Sequence, residues 1–174
     1  DTSRGLGDVY KRQDKIYLND PDMIEYLPGV FSGLRRLRDQ GYSFLVVTNQ
    51  SGIPRGLVQL ENLKEIHRRI RARCAREGID LLAFYFAPFL VESNHPMRKP
   101  NTAMLEMGLR DFNGDRSQAW MVGDRMTDVE AGHRAGFRSV FIEGTEDPSI
   151  SSFHPPEAVA RNFIEVCDWI IDHS

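Results

Sequence analysis

Four short apolar runs punctuate the chain, each followed by a polar stretch and then by a segment of helical period. They are "SFLVVT" (43–48), "LLAFYFAP" (81–88), "QAWMVGD" (118–124) and "RSVFIEG" (138–144). Runs this short and this continuous, rich in β-branched and aromatic residues, predict strands buried on both faces. Between them, "LPGVFSGLRRLRDQG" (27–41) predicts a helix. Pro28 suits its first turn, Val30, Leu34 and Leu37 form an apolar stripe, and Gly41 suits its end. Further helices are predicted over 58–78, closed by Gly78, over 101–112, over 126–136, closed by Gly136, and over 155–173, started by the Pro155-Pro156 pair. Apolar strands alternating with helices define an α/β domain with a mostly parallel sheet. Such sheets bind ligands at the carboxyl ends of their strands, so the polar residues just after each run are the ones to weigh.

Length and composition narrow the class. With 174 residues the chain is long enough for one domain with a substantial core. A formal net charge of −3 argues against nucleic acid or an anionic membrane as partner. No stretch approaches the ~20 apolar residues of a membrane span. The two cysteines, Cys74 and Cys167, lie far apart in helical contexts, which fits a reduced, cytoplasmic protein.

Three strand ends carry candidate chemistry. After the first run comes "TNQSGIPRG" (48–56). The Thr48 hydroxyl and the successive backbone N–H groups of Asn49, Gln50 and Ser51 suit a phosphate, or equally a polar turn with a capping hydroxyl. After the second run, Arg98 and Lys99 stand between Pro96 and Pro100 at the entrance to a helix. Pro100 biases Lys99 toward extended backbone. Such a pair is either an oxyanion clamp, with Arg gripping as a fork and Lys as a point charge, or a solvated basic pair. After the third run, "VGDRMTD" (122–128) puts Asp124 at a strand end and Asp128 in the first helical turn. Hard carboxylate oxygens there suit Mg²⁺. Asp124 is equally well an N-cap, and Asp128 a partner for the helix dipole.

Their order is more telling than any one of them. "VVTNQSGIPRG", "RKPNTAM" and "MVGDRMTDVEAGHRAG", with "YLNDPDMIEYLPGVFSGLRRLRDQGY" before them, resemble the haloacid-dehalogenase-like (HAD) phosphatases. Within these they are similar to the branch of heptose-bisphosphate and histidinol-phosphate phosphatases. The resemblance spans roughly residues 14–144. It implies a three-layer Rossmann-like fold with a minimal cap and phosphoryl transfer through an aspartyl-phosphate. Lys99 and Thr48 would serve the chemistry. Thr48, Asn49, Gln50, Ser51, Arg98, Lys99 and Arg125 would bind a small phosphorylated sugar or related metabolite. Asp124 would hold Mg²⁺, and Asp128 would orient that residue rather than ligate the metal. A monomer that binds neither nucleic acid nor membrane is expected.

Two departures qualify this reading. Many members carry a four-ligand zinc loop, but the matching stretch here offers Ala87, Phe89, His95 and Met97, so zinc is not expected. The second departure concerns the nucleophile. The family's Asp-x-Asp at the end of a first strand should precede Tyr17, and it is absent. Asp20 and Asp22 have the spacing, but "LNDPDMIEYLPGV" fits the segment after the missing motif, and Met23 follows Asp22 with no Gly-Thr turn. Residues 3–13, "SRGLGDVYKRQ", back-translate in frame into a common transposase-based sequencing adapter. The expectation is therefore a foreign segment over 1–13 and a truncated domain over 14–174 that lacks its first, central strand and is inactive as written. Such a loss would leave two facing rows of backbone groups, between the strands ending at Thr48 and at Asp124.

Overall fold

The computed structural model describes residues 18–174 and the backbone pairing of Tyr10–Lys11. The reading of residues 1–13 as a foreign segment otherwise lies outside the described residues. Strand β1 (Tyr10–Lys11) pairs antiparallel with β2 (Glu25–Tyr26). Then come α1 (Val30–Asp39), β3 (Phe44–Asn49), α2 (Leu60–Arg76), β4 (Leu81–Ala87) and α3 (Ala103–Asp111). The last elements are β5 (Trp120–Gly123), α4 (Met126–Arg134), β6 (Arg138–Ile142), β7 (Ala158–Ala160) and α5 (Phe163–Asp172).

Strands β3 and β4 pair in parallel, as do β5 with β6 and β6 with β7. Two apolar clusters cover opposite faces of this β layer. On one face, Val30, Leu34 and Leu37 of α1, Ile66 and Ile70 of α2 and Val166 and Ile170 of α5 pack on Val46, Val122 and Val140. On the other, Met104 and Leu105 of α3 and Ala131 of α4 pack on Val47 and Met121. Adjacent residues of one strand thus serve opposite cores, which is why the runs carry no polar alternation. The result is the expected helix–sheet–helix sandwich.

Among the described residues the β layer is split. One sheet has the order β4-β3 and the other β5-β6-β7, with no pairing between β3 and β5.

One expected element is corrected. Residues 155–173 are not a single helix: β7 comes first and α5 begins at Phe163. Glu157 N–H donates to the Ser139 carbonyl at 2.9 Å and Glu143 N–H to the Ala160 carbonyl at 2.8 Å, which draws the segment onto β6 as a strand. The helix starts only where Asn162 caps it, its Oδ1 accepting from Glu165 N–H at 2.9 Å. His67 of α2 is buried and stacks on Phe84 at 4.1 Å between ring centroids.

Candidate functional site

The site grows from the carboxyl ends of β3 and β5. Apolar residues fix β3 in the layer, and the strand delivers Thr48 and Asn49 into the interior, with Gln50 and Ser51 buried behind them. Gln50 N–H bonds to the Ala87 carbonyl at the end of β4 at 2.9 Å, and Gln50 Nε2 donates to Thr48 Oγ1 at 3.1 Å. The loop then folds back on itself, Leu57 and Val58 N–H both donating to the Gly52 carbonyl.

Asn49 is a clamp. Its Oδ1 accepts from Lys99 N–H at 2.9 Å and its Nδ2 donates to the Lys99 carbonyl at 3.1 Å. A side chain on β3 therefore sets the backbone of a residue fifty positions away. The loop around Lys99 is tied further by Asn101, whose Nδ2 donates to the Asn94 and His95 carbonyls. The Lys99–Pro100 peptide is cis.

So held, the Lys99 side chain is wholly buried and its ammonium makes two contacts. Nζ donates to the Val47 carbonyl at 2.8 Å and to Asp128 Oδ1 at 2.7 Å. Asp128, equally buried, accepts through Oδ2 from Arg125 N–H at 3.2 Å. Gly123 makes this packing possible: a Cβ there would stand 2.1 Å from Asp128 Oδ2. Three strand-end segments are thereby locked to one another.

Asp124 follows β5 directly and is buried. Gly144, after β6, leaves its carboxylate room, since a Cβ there would lie 3.1 Å from Asp124 Oδ2. No group of three His, Cys, Asp or Glu residues able to hold a metal occurs among the described residues. A buried, cradled carboxylate fits Mg²⁺, which takes few protein carboxylates and keeps waters.

The remaining candidates lie at the rim. Arg98 is buried, its Nη1 donating to the Phe89 carbonyl at 3.2 Å. Arg125 lies 3.8 Å from Glu146 Oε2, while Glu146 Oε1 accepts from Met126 N–H at the start of α4 at 3.0 Å. Glu146 was not among the sequence candidates. It follows the fourth apolar run, and the strand-end rule, carried one strand further, would have found it. His95 stacks on Phe89 at 3.5 Å, and its Nδ1 accepts from Met97 N–H. Asp20 and Asp22 are engaged elsewhere: Asp20 Oδ1 caps a short 3-10 turn by accepting from Asp22 N–H, and Asp22 pairs with Arg69 at 2.6 Å.

Comparison with known proteins defines the class. A family model described as "HAD-hyrolase-like" matches residues 96–166, the stretch from the Lys99 loop to α5. A D-glycero-beta-D-manno-heptose-1,7-bisphosphate 7-phosphatase of Haemophilus influenzae is 31% identical over 141 residues, 78% of this chain and 77% of that protein. One from Thermosynechococcus vestitus is 28% identical over 177 residues, 92% of this chain and 90% of that protein. A solved D,D-heptose 1,7-bisphosphate phosphatase of B. bronchiseptica, complexed with magnesium and phosphate, superposes with a TM-score of 0.84 at 24% identity. The superposition covers 95% of this chain and 94% of that one, and it shows the shared fold. The chain belongs to the heptose-1,7-bisphosphate 7-phosphatase family of HAD-like hydrolases. No helix among the described residues is long and apolar enough to cross a membrane.

Proposed function

We propose that this chain carries the phosphate-binding and metal-binding half of a phosphatase acting on D-glycero-D-manno-heptose 1,7-bisphosphate at its 7-phosphate. The observation that carries this reading is the buried Lys99 ammonium, fixed by Asn49, Val47 and Asp128 at the carboxyl ends of β3 and β5. A full positive charge kept in the interior beside a strand-end hydroxyl and a strand-end carboxylate is costly for a scaffold and useful for a transferring phosphoryl group.

Thr48 donates its hydroxyl, and the Asn49, Gln50 and Ser51 backbone lines the phosphoryl oxygens. Lys99 neutralises charge on the transferring group. Arg98 and Arg125 take the second phosphate, and their two guanidinium forks favour a bisphosphate over histidinol phosphate. Asp124 holds Mg²⁺, which when bound supplies charge neutralisation to the phosphoryl oxygens. Asp128 keeps Lys99 and the Arg125 backbone in place.

Residues 14–174 contain no Asp-x-Asp at the end of an apolar strand. The chain as written therefore binds without turnover, residues 1–13 are foreign to the domain, and the nucleophile belongs to the natural sequence they replace. Phosphate binding with no catalysis at all is the second reading, favoured by that same lack. A cytoplasmic monomer fits the two free cysteines, buried in helices with thiols pushed up by burial to about 11 for Cys74 and about 12 for Cys167.

Titration calorimetry with inorganic phosphate and Mg²⁺ tests the binding. Saturable binding is expected, weakened at least tenfold by Lys99→Met, with its Mg²⁺ dependence abolished by Asp124→Asn. Unchanged affinity in Lys99→Met would overturn the assignment.

A further inference from the structure

We propose that His95 is the positioning residue of Arg98, and that through Arg98 it sets the preference of the site for a bisphosphate over a single phosphate. The inference rests on the reading of Arg98 as a group that takes the second phosphate. Between β4 and α3 the chain from 88 to 102 is loop, built around a 3-10 turn at Val91–Ser93. An arginine placed there needs restraints from its neighbours, because its long stem has many rotamers to lose. His95 supplies them through three separate groups. Its ring lies flat on Phe89, with 3.5 Å between centroids and 6° between planes. Its Nδ1 accepts from Met97 N–H at 3.1 Å. Its carbonyl accepts from Arg98 N–H at 2.9 Å and from Asn101 Nδ2 at 3.0 Å.

The two residues that stack are also two that hold Arg98. Phe89 gives its carbonyl to Arg98 Nη1 at 3.2 Å, and His95 gives its own to Arg98 N–H. The ring stack thus joins the anchor of the guanidinium to the anchor of the backbone. Met97 lies between the two anchors. Its N–H is fixed by the imidazole, and its side chain packs with Phe89 against the core under α3. A carbonyl holds a guanidinium without neutralising it, so this bond sets the fork in advance for an anion.

Lys99, the next residue, is held by other means. Asn49 takes its backbone on both sides, and the Val47 carbonyl and Asp128 take its ammonium. Losing the His95 ring therefore loosens Arg98 and leaves the seat of the first phosphate, at Thr48 and Lys99, in place. A histidine kept only for packing would not separate the two. His95→Asn restores the bond to Met97, since an asparagine carbonyl accepts from the N–H two residues on, whereas His95→Ala restores nothing.

The test uses the full chain with Mg²⁺, titrated by calorimetry with D-glycero-D-manno-heptose 1,7-bisphosphate and, separately, with inorganic phosphate. His95→Ala is expected to weaken binding of the bisphosphate at least fivefold and of phosphate less than twofold. His95→Asn should bring the bisphosphate back to within about twofold of the parent. In an Arg98→Ala background, His95→Ala should cost nothing further. Without ligand, amide exchange at Met97 and Arg98 should quicken at least tenfold in His95→Ala and stay unchanged at Lys99, whose N–H is held by Asn49. Equal losses for both ligands, additive losses, or unchanged exchange at Arg98 would overturn the role of His95. Bisphosphate binding unchanged in Arg98→Ala alone would overturn the reading of Arg98 itself, and the preference ascribed to His95 would fall with it.

Discussion

Replacing Lys99 by methionine is the most informative single change to the folded chain. The substitution keeps the length of the stem and removes the charge. Lys99 and Asp128 side chains are both fully shielded from solvent, 2.7 Å apart. Two such ions gain from one another only while both are present; removing one strands the other in low dielectric, at a cost of ~3–5 kcal/mol. Asp128 keeps the hydrogen bond from Arg125 N–H, and the Val47 carbonyl loses the Lys99 donor. For a chain of this length that cost corresponds to a drop of about 6–20 °C in Tm. The assay is a urea or calorimetric melt of the parent, Lys99→Met, Asp128→Leu and the double variant. The double variant removes both charges and should be more stable than the sum of the two single losses allows. A Lys99→Met protein within ~1 kcal/mol of the parent, or strictly additive singles, would refute the reasoning.

Other expectations follow from neighbouring geometry. Burial holds His67 at a pKa of about 4, below the ordinary 6.5. The unfolded chain then binds the extra proton first, so stability is full above pH 6.5 and falls as pH drops toward 4, by about 3 kcal/mol at most. A pH series of melts with His67→Phe should lose that acid limb. Gly123→Ala sets a methyl 2.1 Å from Asp128 Oδ2, which Arg125 N–H and Lys99 prevent from yielding. A loss of ~1–3 kcal/mol is expected by melt. Asn49→Ala removes both bonds to the Lys99 backbone, costing ~1–3 kcal/mol and weakening phosphate binding, whereas Asn49→Asp should restore only the bond from Lys99 N–H.

Much of this was legible in the sequence because both cores use the same device. Val46 and Val47 are neighbours that serve opposite faces, so a doubly buried strand reads as an unbroken apolar run. Strand ends then pointed to Thr48, Lys99, Asp124 and Asp128, of which the fold joins Lys99 and Asp128 in a buried ion pair, with Lys99 held to β3 by Asn49. What the pattern hid was pairing. Strand β7 is three residues long, too short to show a period, and Pro155-Pro156 resembled a helix start. The Asn162-to-Glu165 cap was a legible sign of where α5 begins. Glu146 escaped because it follows the fourth apolar run, whose end was not weighed with the other three; its carboxylate accepts from Met126 N–H.

The central proposal is a phosphatase site whose nucleophile strand is replaced by residues 1–13. The direct measurement is phosphate release from D-glycero-D-manno-heptose 1,7-bisphosphate with Mg²⁺, alongside histidinol phosphate. It compares the present chain with one whose residues 1–13 are replaced by an apolar strand ending in Asp-x-Asp. The account predicts no release by the present chain, and release of the 7-phosphate by the replaced one, faster than from histidinol phosphate. Turnover by the present chain, or a folded, phosphate-binding replacement with no turnover, would contradict it.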